Sequence, residues 1–302
     1  MHPIDYLTSI SLTRVSSSPA GPGSPSTPSL SLSLSLSLSA DPAGSGDGEI
    51  VDGYRRIDNI TDTALAKWRA AYPSTGSGTD GQWSKDDVFF YVYGLLHSPD
   101  YRERYAADLK KMLPRIPLVA TGDDARAFAE AGRRLSELHI GYESVEPYPL
   151  EGLDAQPGFE TGLRPSSTSE RDEAAYDFYA VGDKKMRFGV STGSTGGGRS
   201  GSGGREKDRS VIHYNSSITV SGIPEAAYRY QLGSRSAVEW IIDRYYIKTD
   251  KASGIVNDPN DWSREVGDPR YILDLLARVV TVSVETMKIV DALPALTIRE
   301  EQ

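Results

Sequence analysis

The residues best suited to chemistry in this chain are cationic and clustered. Lys184, Lys185 and Arg187 fall together, and Arg199, Arg205, Lys207 and Arg209 follow in and just after a glycine-rich tract, STGSTGGGRSGSGG. Tyr214, Asn215 and Ser217 come next. Arg and Asn pair bidentately with guanine and adenine edges, cations neutralise phosphates, and glycine backbone can approach a phosphate closely. The pattern therefore fits contact with nucleic acid. It fits equally a solvated charged face beside a flexible loop, and residue type alone does not separate the two.

Other chemistry finds little support. The four histidines, His2, His97, His139 and His213, show no ligand spacing. His97 and His139 fall at predicted helix ends, where a cation is favourable. Asn257, Asp258, Asn260 and Asp261 lack the order of a calcium loop, so a capped turn is expected there. Pro99-Asp100 with Asp108-Leu109-Lys110 has the residue order of a PD-(D/E)xK nuclease, but that site needs carboxylates converging from neighbouring strands. Here all of them lie on one predicted helix, whose first turn Asp100 favours electrostatically. The sequence contains no G-x-x-x-x-G-K-[ST] phosphate loop. Nor does it contain the acidic or amide residue, two prolines and aromatic of amino-methyltransferases, since Val256-Asn257-Asp258-Pro259 and Glu146-Pro147-Tyr148 each supply one proline. No catalytic residue, metal or cofactor is assigned.

The elements that must position the cationic group are legible from periodicity. Lys184 to Phe188 reads as a strand, and SVIHYN and SITVSGI alternate as two more. Ser236 and Glu239 form a capping box for a helix in SAVEWIIDRYY, with Val238, Ile241, Ile242 and Tyr245 at helical spacing. A polar connection, KTDKASGIVNDPNDW, leads to Asp268-Pro269 and a last helix carrying Ile272, Leu275, Leu276, Val279 and Val282. That helix is expected to reach about Leu293 despite the β-branched run VVTVSV.

Upstream the pattern is helical. Thr61 to Tyr72 places Leu65 and Trp68 on one face, and Ser84 with Asp87 caps a helix that is aromatic nearly all round. Ser98-Pro99 restarts a helix with Tyr101, Tyr105, Leu109 and Met112 in step. A fourth helix, from about Asp124 to His139, carries Phe128, Ala131, Leu135 and Leu138, whereas Gly152 to Arg171 reads as irregular. The expected class is α+β: a helical amino-terminal lobe over about 59–145, then a small antiparallel sheet packed with helices over about 146–294.

Residues 1–48 are dominated by Ser, Pro, Gly and Leu and include LSLSLSLSLS. Such alternation could make a strand, but its Pro/Gly/Ser flanks have linker composition, so a disordered tail is expected ahead of a domain over 49–302. The net charge of −9 argues against broad nonspecific nucleic-acid binding, so any such contact must be a local basic patch. With no cysteine there are no disulfides or thiolate metal sites. No apolar run approaches the roughly 18 residues of a membrane span, and the first residues lack the form of a secretory signal, so the expected location is cytoplasmic, with no membrane partner.

The run from Tyr214-Asn215 through SGIP, EAAYRY, SAVEWIIDRYYIKTDKASGIVNDPNDW and VVTVSVETMKIVDALP resembles the carboxy-terminal target-recognition, or specificity, domain of type ISP restriction-modification enzymes. A second block, DVFFYVYGLLHSPDYRERYAADLKKMLPRIPL with FAEAGRRLSELHIGYESVEPYPL, is similar to the first half of the same domain. The resemblance covers roughly Asn59 to Pro294. It implies recognition of a short sequence on double-stranded DNA with no catalysis by this domain alone, either as a split subunit acting with separately encoded methyltransferase and translocase domains or as a remnant of a decayed restriction system. The glycine-rich tract departs from the family, in which that connection is shorter and richer in lysine. A protein-interaction module that kept the fold and lost DNA binding is the alternative, favoured by the acidic balance.

Overall fold

The structure is a computed structural model. It describes residues 60–73, 82–110, 116–158, 168–191 and 206–299, together with short strands at β1 (Leu38–Ser39), β2 (Ile50–Val51) and β3 (Tyr54–Arg56). These strands pair antiparallel in the order β1-β3-β2. Of the expected disordered tail, Leu38–Ser39 is thus a paired strand, and the remainder of residues 1–48 lies outside the described residues. The chain divides into two units, residues 1–141 with 288–302, and residues 142–287.

In the first unit, helix starts are set by side chains that occupy the orphan amides of the first turn. Thr61 caps α1 (Asp62–Ala71), and Ser84 with Asp87 closes a full capping box on α2 (Lys85–His97). Ser98 and Pro99 start α3 (Pro99–Arg104), and Thr121 caps α5 (Gly122–Ile140). The single helix expected from Ser98 is broken at Tyr105, with α4 (Ala106–Leu109) following as a short turn that buries no residue.

The core of this unit is aromatic. Trp68 packs edge-on against Tyr91 at 4.6 Å and against Trp83 at 5.6 Å, with Tyr72 at 5.2 Å. The two tyrosines bury their rings yet satisfy their hydroxyls: that of Tyr72 donates to the Val119 carbonyl at 2.6 Å and that of Tyr91 to the Pro117 carbonyl at 2.7 Å. The closing segment pairs back through Val119 and Ile298. Asp100, read as a first-turn charge, also accepts from the Leu296 amide at 2.9 Å, which gives it a structural partner.

His97 and His139 overturn one expectation. They lie with ring centroids 5.4 Å apart, both next to Tyr93, whose hydroxyl bonds His139 Nδ1 at 2.8 Å while its carbonyl accepts from His97 Nδ1 at 2.8 Å. Burial lowers the affinity of both imidazoles for a proton, that of His139 to a pKa of about 3 with the nearby His97 adding to the effect. They are therefore neutral packing groups and not helix-end cations.

In the second unit the sheet is β4 (Arg187–Ser191), β5 (Glu206–His213) and β6 (Thr219–Ser221), antiparallel in that order. The register shifts between Phe188 and Gly189, where a Cβ on the glycine would lie 2.9 Å from that of Val211. Residues Glu151 and Ser221 bridge the outer edge of β6, and the same segment runs beside α9 (Tyr271–Asp291), with the Tyr148 amide donating to the Ala277 carbonyl. Helix α9 buries Ile272, Leu273, Leu275, Leu276, Val280 and Val282, an apolar surface wide enough to override the modest helix penalty of its β-branched run.

Between sheet and α9 the chain makes a 3-10 turn (Glu225–Tyr228), β7 (Gln231–Leu232), β8 (Arg235–Ser236), α7 (Ala237–Arg244), the hairpin β9 (Lys248–Thr249) and β10 (Val256–Asn257), and α8 (Asn260–Glu265). Three of these elements, β9, β10 and α8, go beyond the expected polar connection, and α6 (Thr168–Tyr179) sits partly in the stretch read as irregular. Among the described residues no helix is long and apolar enough to cross a membrane, and no group of three or more His, Cys, Asp or Glu could hold a metal.

Candidate nucleic-acid interface

Lys184 and Lys185 do not lie on the predicted strand. They precede it, Lys184 in a bend, and β4 begins at Arg187, with Met186 buried between the exposed cations. Lys185 pairs with Asp243 on α7 and sits 5.1 Å from the Tyr246 ring centroid. Arg187 is exposed. Arg199 in the glycine-rich tract and Arg205 just after it lie outside the described residues.

Tyr214 and Asn215 are corrections. Tyr214 is 2% exposed and its hydroxyl donates to the Tyr179 carbonyl at 2.8 Å, so no base can reach it. The Asn215 amide nitrogen donates to the carbonyls of Phe178 and Ala180 at 2.9 and 3.0 Å. Its oxygen accepts from the amides of Ser217 and Ile218 at 2.9 and 2.8 Å. Both donors and both acceptor sites are committed to shaping the turn between β5 and β6, leaving nothing for an adenine edge. Ser217 is exposed in that turn.

Lys207 and Arg209 remain on β5, two residues apart and so on one face of the strand. They border an open cleft of about 590 Å³ with Asp208, Glu225, Tyr228 and Arg229. The Arg209 guanidinium lies 4.1 Å from the Tyr228 ring centroid and 5.9 Å from that of Phe188, and it pairs with Glu239 at 3.1 Å. Burial alone would raise the Glu239 carboxyl, but donors from Ser236 together with Arg209 and Arg235 hold it below its usual range. Hydrogen bonds from the Ser210 hydroxyl and amide lower Asp208. Arginine is thus stacked and clamped in one orientation at the cleft wall.

The second cationic group escapes a reading of the sequence. Asp243 accepts from Lys185 and from Arg235 at 2.8 Å, with Arg244 Nε at 4.0 Å, and the Lys185 hydrogen bond leads in holding its carboxyl below the usual range. Arg235 and Arg244 both lie over the Trp240 ring, 5.5 and 5.0 Å from its centroid. The signal available was the spacing of Glu239 and Asp243, four residues apart on one helix face, beside arginines at both ends of α7.

The model of the type ISP C-terminal specificity domain matches residues 27–275. The chain belongs to this family. Among solved structures, this specificity-domain chain is 40% identical to a nuclease-deletion mutant of the type ISP restriction-modification enzyme LlaGI in complex with a DNA substrate mimic, with a TM-score of 0.53 over 72% of this chain. It is 35% identical to the ATP-dependent type ISP enzyme LlaBIII bound to DNA (TM-score 0.52, 72% of this chain) and 36% identical to DrdV in its DNA complex (TM-score 0.56, 82% of this chain). The chain spans 14%, 12% and 21% of those proteins respectively. Sulfate adenylyltransferase subunit 2 of Photobacterium profundum is 24% identical over 110 residues, 35% of this chain and 36% of that protein, too partial a likeness to carry an argument about chemistry.

Proposed function

We propose that this chain reads a short target sequence on double-stranded DNA, as the recognition part of a type ISP-like restriction-modification system in the cytoplasm. Methylation and translocation belong to other domains of that system. The observation that carries the reading is the family match over residues 27–275, joined to likenesses of 35 to 40% identity with three enzymes in DNA complexes.

The β5 cleft supports a base-reading role over a phosphate-holding one. Its Lys207, Arg209 and Arg229 are balanced by Glu206, Asp208 and Glu225, so it offers directional hydrogen bonds more than bulk positive potential. Among the residues named from the sequence, Lys184, Lys185, Arg187, Lys207 and Arg209 stay candidates for DNA contact, with Arg199, Arg205 and Ser217 beside them.

The test is selection of duplexes from a random library, followed by competition binding at several salt concentrations. Enrichment of one short sequence is expected. Binding that all sequences compete equally, or no binding, overturns the reading in favour of a protein-interaction module, which the net charge of −9 would suit.

A further inference from the structure

Asp243 is outnumbered. One carboxylate, with 21% of its side chain exposed, faces Lys185, Arg235 and Arg244, whose side chains remain 47%, 44% and 54% exposed. An exposed ion pair contributes little and needs one cation. The second and third cations add mutual repulsion at a carboxylate that is already neutralised. Arg244 adjoins Asp243 in the chain and Arg235 lies eight residues before it, but Lys185 is brought to the same carboxylate by the fold, across 58 residues. The two guanidiniums are further fixed over Trp240, and the ammonium over Tyr246. Such an assembly holds an excess of two positive charges in set positions within a strongly acidic chain.

We infer that Lys185, Arg235 and Arg244, positioned by Asp243 and Trp240, form a seat for the phosphodiester backbone of the DNA target. The inference rests on the functional reading above and adds a division of labour to it. The charge-balanced β5 cleft addresses bases, and the seat around α7 fixes where the backbone lies. Glu239 connects the two, since it pairs with Arg209 of the cleft and also feels Arg235 of the seat. Guanidinium suits this task because its planar fork grips two phosphate oxygens at once.

The experiment uses the full 302-residue chain and measures duplex affinity against salt. In the double variant Arg235→Gln/Arg244→Gln, the slope of log affinity against log salt should fall by about two, because each phosphate contact contributes about one. The loss should be the same for target and non-target duplexes. Arg235→Lys/Arg244→Lys should keep most of the slope, and Lys248→Gln/Lys251→Gln, which removes equal charge from the β9-β10 hairpin, should leave it unchanged. Thermal unfolding of each variant reports that the fold is retained. If the Gln pair at 235 and 244 leaves the slope intact, or if the hairpin pair lowers it equally, the seat is overturned while the functional reading stands. Inorganic phosphate that stabilises the wild type but not the Gln pair, with an unchanged DNA slope, would assign the seat to a free anion and overturn it as well. Absence of any duplex binding by the wild type overturns the functional reading together with the seat.

Discussion

Gly94 and Gly132 stand against each other where α2 crosses α5. A Cβ on Gly94 would lie 2.1 Å from the Phe128 carbonyl oxygen, and one on Gly132 would lie 1.8 Å from that of Phe90. Both obstacles are backbone, which cannot rotate aside. Gly94→Ala should therefore destabilise the first unit by about 3 kcal/mol, the upper end of ordinary overpacking costs. Urea unfolding followed by tryptophan fluorescence reports it through Trp68 and Trp83, and an unchanged midpoint would mean the helices can separate at little cost.

The imidazole pair beside Tyr93 makes stability depend on pH. Unfolded histidines take up protons near pH 6.5, whereas burial in the folded chain lowers the pKa of both imidazoles, that of His139 to about 3. The unfolded state thus binds more protons in this window, and stability falls as pH drops below about 6.5, by about 1.4 kcal/mol per pH unit for His139, with His97 adding in the same direction. Urea midpoints at pH 7, 6 and 5 should show the decline. His139→Gln should make the decline shallower, and a variant with the wild-type slope would mean that His139 does not titrate on unfolding.

Asn215→Ala should act on folding and not on base choice. The substitution orphans two carbonyls and two amides around the β5-β6 turn, costing about 2–3 kcal/mol. Thermal unfolding should report a lowered midpoint while sequence preference is retained. Lost discrimination at one base position with a normal midpoint would return Asn215 to the interface.

Arg209→Lys keeps the charge at the cleft wall but loses the flat fork that stacks on Tyr228. Discrimination at one guanine position should fall by about 1–3 kcal/mol, with the salt slope unchanged. Competition between target duplexes differing at single positions is the measurement, and uniform weakening at every position would instead make Arg209 a phosphate contact.

Much of the fold is readable in the sequence because its signals are local. Ser84 with Asp87 and Ser236 with Glu239 mark helix starts by residue type and spacing alone, and both boxes form. Helix α6 escapes because TSERDEAAYDFY carries no apolar stripe, and β9 and β10 escape because each is two exposed residues long. The site is harder for a different reason. Asn215 has the chemistry of a base reader, but whether its amide is available depends on carbonyls of Phe178 and Ala180, more than thirty residues away. Arg235 and Arg244 look like ordinary surface charges until the fold brings Lys185 to the same carboxylate, across 58 residues of chain.

Glu239 divides its two oxygens between two tasks. Oε2 accepts from the amide and hydroxyl of Ser236, both at 2.9 Å, and so locks the start of α7, while Oε1 holds Arg209 at 3.1 Å. The lock does not need the arginine. Arg209 can therefore be exchanged for another side chain while the Ser236 contacts keep the start of α7 wound. The same carboxylate thus orients the arginine without making the helix start depend on it.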